Sequence, residues 1–424
     1  MDDPGGNPKR TKKTAALDDL EKEIDFELDM QDEKCSHALR MGDLCANCGT
    51  CLERDVNLVT VTHGSDQLLQ RYEDAFRSHL KHFYKLAEHR KLILLCDLDQ
   101  TVIHATLEKA NCDFSFELDG VRFAVKNRRW LDQFLRKTNR LFEMHVYTLG
   151  TRGYADAVCK AIDPDKTYFG DRIVTRTENN NELKKYIKRI TSFDQNVLVL
   201  DDRIDVWGFI PNCIFIRPFC YYSMEDVNDP VRLAKMRLAA KKENFLDAAI
   251  QRLLDEEAQS NQDRAADEYR SMVKEDVNVE IEEESEGEED IFDISNKPNK
   301  EDMELKKVYL ILKKLHKGYF RKLDRIRKNE RVEDIPVEQL INVGDVAQIR
   351  ALKRYSVVCR SKYRNYVLYL GGRIIKIADL EHEDKSRILV INDRAVASKY
   401  GIRNMSEDLL TACLYNRCFV TRDT

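Results

Sequence analysis

The sequence predicts an α/β protein with a domain that is built on a parallel sheet, because three apolar runs each lead into polar side chains. The runs are Leu92–Cys96, Leu141–Tyr147 and Asn196–Leu200. Short continuous apolar runs are typical of strands that are buried on both faces of a parallel sheet. We therefore expect three parallel strands in a chain of 424 residues, which has room for two to three domains.

The polar groups that follow these runs predict a site for a divalent cation and an anionic substrate. Asp97 and Asp99 follow the first run, and side chains two residues apart point the same way on an extended segment. Thr148 follows the second run, and Asp201 and Asp202 follow the third. Ligands of open α/β sheets bind beyond the carboxyl ends of the strands. For a lone Asp-x-Asp motif, solvated loop residues are the simpler interpretation; three coincident strand ends argue against it.

The stretch Asp97–His104, with the sequence Asp-Leu-Asp-Gln-Thr-Val-Ile-His, resembles the D-x-D-x-T motif of haloacid-dehalogenase-type phosphatases. It is most similar to the phosphatases of the RNA polymerase II C-terminal domain, and Gln100 matches the branch that associates with transcription factor IIF. Further matching stretches follow in order: Tyr147–Ala155, Ile162–Pro164, Arg172–Arg176 and Asp201–Trp207. The resemblance covers about residues 85–225 and implies a Rossmann-like catalytic domain. Arg129 and Thr177 depart from the family pattern, which has Pro and Asp there.

The resemblance implies roles for the acidic residues. Asp97 is expected to be the nucleophile, forming an aspartyl-phosphate, and also a ligand of Mg²⁺. Asp99 is expected to protonate the leaving seryl oxygen, later to activate water, and to contact the metal through its backbone carbonyl. Asp201 and Asp202 complete the expected metal site. A phosphoserine ester carries about two negative charges at pH 7, so a cation is needed before an anionic nucleophile can approach.

Five other residues are assigned to the phosphoryl group or the substrate. Thr148 is expected to donate a hydrogen bond to a phosphoryl oxygen. Lys184, 17 residues before Asp201, is expected to supply a cation opposite the metal. Lys185 is adjacent, so this assignment is good to one residue. The expected substrate-binding side chains are Thr101, Arg152 and Tyr154. Thr101 is also expected to hold the turn after the nucleophile.

A cluster of Cys and His residues precedes the catalytic domain. It has the pattern Cys35-x-His37-x7-Cys45-x2-Cys48-x2-Cys51. A Cys-x2-Cys pair with an upstream Cys/His pair is a pattern of zinc sites. The candidate zinc ligands are Cys35, His37, Cys45 and Cys48, although the Cys-x-His spacing is short and five candidates exceed the usual four. Reduced surface thiols without a metal are the alternative interpretation.

Composition limits the class of protein. No apolar run reaches the length of about 18 residues that a membrane span needs, so no membrane partner is expected. Met1–Gly6 lacks the charged-then-apolar order of a signal peptide. Twelve cysteines, several of them inside apolar runs, indicate reduced thiols in an intracellular protein. Pro8–Lys13 is either a nuclear import signal or a solvated basic tail.

Charge and composition also divide the chain. Residues 275–290 hold ten acidic residues and no basic one, whereas residues 291–424 hold 28 Lys and Arg against 18 Asp and Glu. The expected segments are a disordered tail (1–34), a Cys/His region (35–65), a catalytic domain (66–225), a helical segment (226–274), an acidic linker (275–300), a second helical segment (301–345) and a small C-terminal α/β domain (346–424). We expect the linker to let the catalytic and C-terminal domains move independently.

The C-terminal segment resembles a BRCT domain. Three short strands are expected at Tyr355–Cys359, Arg373–Ile377 and Arg387–Ile391, with a helix after the first that ends in Gly371-Gly372. Two more helices follow; the full expected order is β-α-β-β-α-β-α, whose last strand, between these two helices, is not assigned to residues. Leu409 or Leu410 stands near the place where BRCT domains usually carry Trp. An unrelated small α/β domain is the alternative.

These patterns predict a nuclear, magnesium-dependent protein serine/threonine phosphatase. Its expected partners are the phosphorylated C-terminal domain of RNA polymerase II and transcription factor IIF, without direct contact to nucleic acid. Two other functions are alternatives: an interaction protein with an inactive phosphatase fold, and a phosphatase for nucleic-acid ends or metabolites. Asp99 argues against the first, because inactive relatives tend to lose the acid/base Asp. The 52 residues between Thr148 and Asp201 leave little room for a large cap over the site, which argues for a protruding peptide.

Overall fold

The computed structural model describes residues 35–420 except residues 56, 64–66, 109, 180, 223–301, 328–329 and 419. The predicted tail (1–34), first helical segment (226–274) and acidic linker (275–300) lie outside the described residues, as does Pro8–Lys13. The chain divides into two compact units, one up to Arg77 and one from Ser78 onward. Within the described residues, no helix is long and apolar enough to cross a membrane.

The N-terminal unit contains a small antiparallel sheet. Its strands are β1 (Leu39–Met41), β2 (Leu44–Cys45), β3 (Leu58–Thr60) and β4 (Leu68–Arg71). They lie in the order β2-β1-β4-β3. Helix α1 (Tyr72–Glu88) follows β4 directly, and the division between the two units falls inside it.

The catalytic domain in the second unit contains a five-stranded parallel sheet and a three-stranded antiparallel sheet. Its strands are β5 (Leu92–Cys96), β6 (Ile103–Thr106), β7 (Phe114–Leu118), β8 (Val121–Asn127), β9 (Phe142–Tyr147), β10 (Ile173–Val174), β11 (Val197–Asp201) and β12 (Cys213–Phe215). Its helices are α2 (Leu131–Thr138) and α3 (Arg152–Ile162). The parallel sheet has the order β10-β9-β5-β11-β12, so the three strands predicted from apolar runs are confirmed and lie side by side at its centre. Every residue of β5 and β11 is buried.

The antiparallel sheet β6-β8-β7 follows the turn after Asp99 and covers part of the region beyond β5. Phe116 and Phe123 stack across this sheet with ring centroids 5.1 Å apart. The Tyr154 ring, at the start of α3, packs against both rings at 5.7 and 5.3 Å. This aromatic contact fixes the position of Tyr154 beside the end of the central strand.

The C-terminal half of the second unit is a helical part followed by a small parallel sheet. Its elements are α4 (Glu304–Arg327), α5 (Val343–Ala347), β13 (Ser356–Val358), α6 (Arg364–Tyr369), β14 (Arg373–Ile374), β15 (Ile388–Ile391), α7 (Arg394–Tyr400), β16 (Arg403–Met405) and α8 (Glu407–Asn416). The strands lie in the order β14-β13-β15-β16, and all pairs are parallel. From β13 onward the order is β-α-β-β-α-β-α, as predicted. The second strand is shorter than expected, because a 3-10 helix begins at Ile377.

The C-terminal domain shares a hydrophobic core with the catalytic domain, so the expected independent movement of the two domains is wrong. The Phe215 ring of β12 stacks on Tyr415 of α8 at 5.0 Å, with the planes 11° apart. The Tyr369 hydroxyl donates a hydrogen bond of 2.6 Å to the carbonyl oxygen of Cys213. Large aromatic side chains that are buried across a boundary in this way give a fixed arrangement of the two domains.

Arg128 ties three parts of the second unit together. Its guanidinium is almost fully buried, and it donates to the backbone carbonyl oxygens of Thr101 at 2.9 Å and Arg217 at 2.7 Å. Its Nε donates to the Asp302 carboxylate at 2.9 Å, just before α4 begins. A buried guanidinium needs a charged partner and full hydrogen bonding. Arg128 therefore links the turn after Asp99, the segment after β12 and the start of the C-terminal half.

His104 on β6 is held in its neutral form. Its Nδ1 accepts hydrogen bonds from the backbone N–H groups of Tyr221 at 2.8 Å and Tyr222 at 3.1 Å, so the ring carries its proton on Nε2. Burial lowers the pKa of His104 to about 4. The folded pKa lies below that of an unfolded His, so the unfolded state binds more protons between about pH 6.5 and pH 4. The stability linked to His104 is therefore complete above pH 6.5 and is lost as pH falls through this window.

We expect the replacement His104→Asn to reduce the dependence of stability on pH. The Asn Oδ1 can accept the same two N–H groups but does not titrate. Titration of His104 should lower the free energy of unfolding of the wild type by about 2 kcal/mol between pH 7 and pH 5. The variant should not show this decrease. Urea unfolding at both pH values measures the difference. If the free energy of unfolding changed equally with pH in both proteins, the pKa of His104 would not be lowered by folding.

Candidate functional site

The carboxyl ends of β9, β5 and β11 bring the predicted polar residues together. The parallel register pairs Cys96 with Leu200 on one side and with Val146 on the other. The N–H of Asp97 donates to the carbonyl oxygen of Leu200 at 3.0 Å, which places Asp97 beside the end of β11. The site therefore follows from strand register, because each strand contributes residues at or just beyond its carboxyl end.

Three carboxylates form the centre of this site. Oxygen atoms of Asp97, Asp201 and Asp202 all lie within 4.8 Å of one another. The Trp207 indole N–H donates to Asp201 Oδ2 at 2.8 Å and fixes the orientation of that carboxylate. A short 3-10 helix, Asp205–Trp207, turns the indole toward it. Trp207 has no role among the sequence predictions, although it belongs to the matching stretch that begins at Asp201.

The cation of the site is Lys185 and not Lys184, which corrects the sequence assignment by one residue. Lys185 Nζ lies 2.6 Å from Asp97 Oδ1 and 2.7 Å from Asp201 Oδ2. Its side chain is buried, and its N–H donates to the carbonyl oxygen of Val206 at 2.8 Å. Lys184 is exposed. The segment that contains Lys184 and Lys185 is irregular and partly extended, so adjacent side chains point to opposite sides. An error of one residue in the assignment therefore selects a side chain that points away from the site.

Burial governs the protonation of the carboxylates. It raises the pKa of Asp97 well above its usual range, and the Lys185 ammonium acts in the opposite direction. Burial and the neighbouring Asp201 charge raise the pKa of Asp202 to about 7. One ammonium group faces these three buried carboxyl groups, so their full ionisation needs further positive charge. These oxygen ligands fit Mg²⁺, which binds to one or two carboxylates together with water and phosphate.

Asp99 lies beyond the buried carboxylates and is half-exposed. The chain turns sharply after it: Gln100 has a φ of +57°, and its N–H donates to the carbonyl oxygen of Ile103 at 2.7 Å. The buried Tyr154 hydroxyl donates to Asp99 Oδ1. This contact orients the Asp99 carboxyl group. The Tyr154 side chain is fully buried, and its role in substrate binding stays a prediction.

The other sequence-predicted residues occupy different positions. Thr148 is buried at the end of β9, and its Oγ1 accepts the Gly150 N–H at 3.0 Å. Thr101 is fully buried and donates to Asp202 Oδ1 at 2.9 Å, so the expectation that it binds substrate is wrong, while its place at the turn is as expected. The Arg152 guanidinium contacts Asp156, Glu178 and the carbonyl oxygen of Ile173. Its role in substrate binding stays a prediction.

The Cys/His cluster is also brought together, in the N-terminal unit. Ligand atoms of Cys35, His37, Cys45 and Cys48 lie within 4.8 Å of one another. Cys51 is not part of this group and is exposed. All twelve cysteines lie in the described part of the chain, and none forms a disulfide bond there.

We expect Tyr154→Phe to lower kcat by about tenfold with little change in KM. The variant keeps the ring contacts to Phe116 and Phe123 but removes the hydrogen bond that orients Asp99, and a hydrogen bond to a charged group is worth about 1.5–3 kcal/mol. Steady-state rates on a small aryl phosphate measure the effect. Tyr168→Phe, on a half-buried ring in the loop after α3, is the matched control. Equal kcat values for the two variants would show that the Tyr154 contact does not matter for turnover.

Paired carboxylates at the end of the central strand of a haloacid-dehalogenase-type sheet define the class of phosphatases that use an Asp-x-Asp motif. Residues 92–244 match the model of the NLI interacting factor-like phosphatase family. The RNA polymerase II C-terminal domain phosphatase of Encephalitozoon cuniculi (strain GB-M1) is 36% identical over 294 residues, which cover 68% of this chain and 71% of that protein. The chain belongs to this family of C-terminal domain phosphatases and is a protein phosphatase.

Two longer relatives match over less than half of this chain. The proteins of the same name from Schizosaccharomyces pombe and Homo sapiens are 31% and 34% identical, and the match spans 32% and 23% of their lengths. The solved structure of Fcp1, described as an essential RNA polymerase II CTD phosphatase, has a TM-score of 0.58 at 22% identity and covers 81% of this chain and 98% of that one. A fission yeast Fcp1 variant bound to beryllium fluoride gives a TM-score of 0.56 with the same coverage. These two structures support the fold.

Proposed function

We propose that the protein removes phosphate from phosphoserines of the RNA polymerase II C-terminal heptad repeats, with Mg²⁺ and through an aspartyl-phosphate at Asp97. The observation that carries this proposal is the group of Asp97, Asp201 and Asp202 around Lys185, with Asp99 beside it. The names of the related phosphatases support the choice of substrate. Association with transcription factor IIF and a nuclear location belong to the same proposal.

The first half of the reaction transfers the phosphoryl group to Asp97. An oxygen of the Asp97 carboxylate attacks phosphorus while the bond to the seryl oxygen breaks. Asp99, protonated at this stage, gives its proton to the leaving oxygen, which departs as the serine hydroxyl. Its half-exposed position suits this role, because it can face the substrate while Tyr154 holds one of its oxygens.

The second half releases phosphate. Asp99, now a carboxylate, takes a proton from a water molecule as that water attacks phosphorus, and the bond between phosphorus and the Asp97 oxygen breaks. Phosphate leaves, Asp97 returns to its carboxylate form and Asp99 to its acid form. Mg²⁺, when bound by Asp97, Asp201 and Asp202, supplies positive charge that offsets the charge of the phosphate. Lys185 adds a fixed positive charge on the protein side.

A groove that is lined by chain neighbours of the site residues supports an extended peptide as the substrate. It has a volume of about 590 Å³ and lies between the catalytic and C-terminal domains. Lys184, Arg203 and Phe209 line it on one side, and Asn365 and Leu368 on the other. Lys184 follows Leu183 into this groove and is the chain neighbour of Lys185. Asp205 also lines the groove and pairs with Arg203 at 2.6 Å, so Lys184 and the apolar side chains are the groups that suit a phosphorylated peptide.

The proposal is tested with a panel of singly phosphorylated heptad peptides, assayed for phosphate release with Mg²⁺ and with EDTA. We expect turnover of at least one peptide, no turnover in EDTA, and inhibition by beryllium fluoride in the presence of Mg²⁺ as a mimic of the aspartyl-phosphate. A 3′-phosphorylated oligonucleotide serves as the competing substrate. Faster release from the oligonucleotide, or full activity in EDTA, would overturn the proposal.

A further inference from the structure

The four side chains of the Cys/His cluster have the spacing of ligands around one zinc ion. Cys35 Sγ and Cys45 Sγ are 3.6 Å apart, and Cys48 Sγ and His37 Nδ1 are 3.4 Å apart. A tetrahedral Zn²⁺ with bonds of about 2.3 Å to sulfur and 2.0 Å to nitrogen places its ligand atoms about 3.5–3.8 Å from one another. The cluster is therefore close to the size that a zinc ion requires.

A tight turn brings the Cys45 and Cys48 sulfur atoms together. Gly49, at a φ of +71°, closes the turn with a hydrogen bond of 2.9 Å from its N–H to the carbonyl oxygen of Cys45. The turn thus presents two sulfur atoms to the same point.

The sheet around the cluster has almost no hydrophobic core. Among the described residues of 35–71, only Arg40 and Cys45 are buried, and the Arg40 guanidinium donates to the carbonyl oxygen of Glu53 at 2.8 Å. Sheets in segments of fewer than about 40 residues need a disulfide, a metal or a partner to be stable. The described structure contains no disulfide among these cysteines. A metal ion at the cluster would supply the missing stabilisation.

We propose that Cys35, His37, Cys45 and Cys48 bind one structural Zn²⁺ that holds the N-terminal sheet together. All four positions are protein ligands, which is the closed coordination of a structural site. The site gives up the thiol protons when the metal binds, because Zn²⁺ binds thiolates. Cys51 is excluded, since it lies outside the group despite its Cys-x2-Cys spacing to Cys48. The catalytic carboxylates in the second unit form a separate site of oxygen ligands.

The full chain, prepared in Mg²⁺ buffer without added zinc, is analysed for bound metal by elemental mass spectrometry. We expect one zinc per chain in the wild type, less than about a tenth of this in Cys45→Ser and Cys48→Ser, and an unchanged content in the matched control Cys51→Ser. Zinc removal with a strong chelator should increase proteolysis within residues 35–71. A serine variant can also lose zinc because it unfolds. The identity of the metal ligands must therefore be tested in the wild-type protein as well.

Exchange of the bound metal for Co²⁺ gives that test. Thiolate ligands produce a charge-transfer band in the near ultraviolet, and a tetrahedral site produces strong visible bands, whereas the oxygen ligands of the catalytic site produce neither. We expect both features in the wild type and in Cys51→Ser. Wild-type protein without zinc and without these bands would overturn the proposal. So would a Cys35–Cys45 disulfide in the purified protein, or a loss of zinc in Cys51→Ser equal to that in Cys45→Ser.

Discussion

Asp97→Asn should abolish turnover, with a loss of at least about 10³-fold, because an amide oxygen is a poor nucleophile and no acyl phosphate can form. Asp99→Asn should cost at least about 10²-fold on a phosphoserine peptide, since the leaving seryl oxygen then departs without a proton. The two variants should differ on an aryl phosphate, whose leaving group needs little protonation. There Asp99→Asn should still form the covalent phospho-enzyme and then hydrolyse it slowly, whereas Asp97→Asn should form none.

Rapid-quench experiments with labelled aryl phosphate measure the covalent burst directly. Thermal unfolding of both variants is the control, because Asp97 is buried against Lys185 and its replacement changes the packing of charges there. Folded Asp97→Asn that keeps more than about a tenth of the wild-type rate would show that another residue is the nucleophile. A burst of equal size in wild type and Asp97→Asn would lead to the same conclusion.

Lys185→Ala should lower kcat/KM on a small aryl phosphate by about 10²–10³-fold, whereas Lys184→Ala should stay within about threefold of the wild type. Removal of one fixed charge that stabilises the transferred group costs about this much in other enzymes. The variant also leaves Asp97 and Asp201 without the ammonium group that lies 2.6 and 2.7 Å from them. The apparent affinity for Mg²⁺ should therefore rise in Lys185→Ala, because a competing positive charge has been removed.

Lys184→Ala is the matched control for Lys185→Ala, since the two residues are adjacent and of the same type but differ in burial. The small substrate is needed because Lys184 lines the groove, where it can contribute to the binding of a longer peptide. Equal losses for both variants would mean that the charge of the whole segment matters and not the contact of Lys185. A Lys185→Ala variant that keeps wild-type kcat/KM would remove Lys185 from the mechanism.

The sequence predicted the sheet and the acidic residues well, because both follow from local patterns. Apolar runs marked β5, β9 and β11, and parallel pairing then brings their ends together. The lysine was missed by one position, since the irregular segment before the 3-10 helix Ile187–Arg189 has no period from which the direction of a side chain can be read. The role of Trp207 depends on a turn that places its indole over Asp201, six residues earlier.

The largest difference between the sequence prediction and the structure concerns the contact between the catalytic and C-terminal domains. The composition of residues 275–290 indicated a linker, and a linker suggested independent modules. The stacking of Phe215 on Tyr415 joins residues that are 200 positions apart. A pattern within one strand or helix shows which of its faces is apolar but does not identify the surface that covers that face. The shared core could therefore not be predicted from the sequence, although the order of helices and strands in the C-terminal domain was.

Arg128 also has a consequence for the two ends of the connection between Arg217 and Asp302. Both of these residues bind to the same guanidinium, so the chain leaves and rejoins the folded core at nearly the same point. A single side chain therefore fixes both ends, and its removal would release the segment after β12 and the start of α4 together.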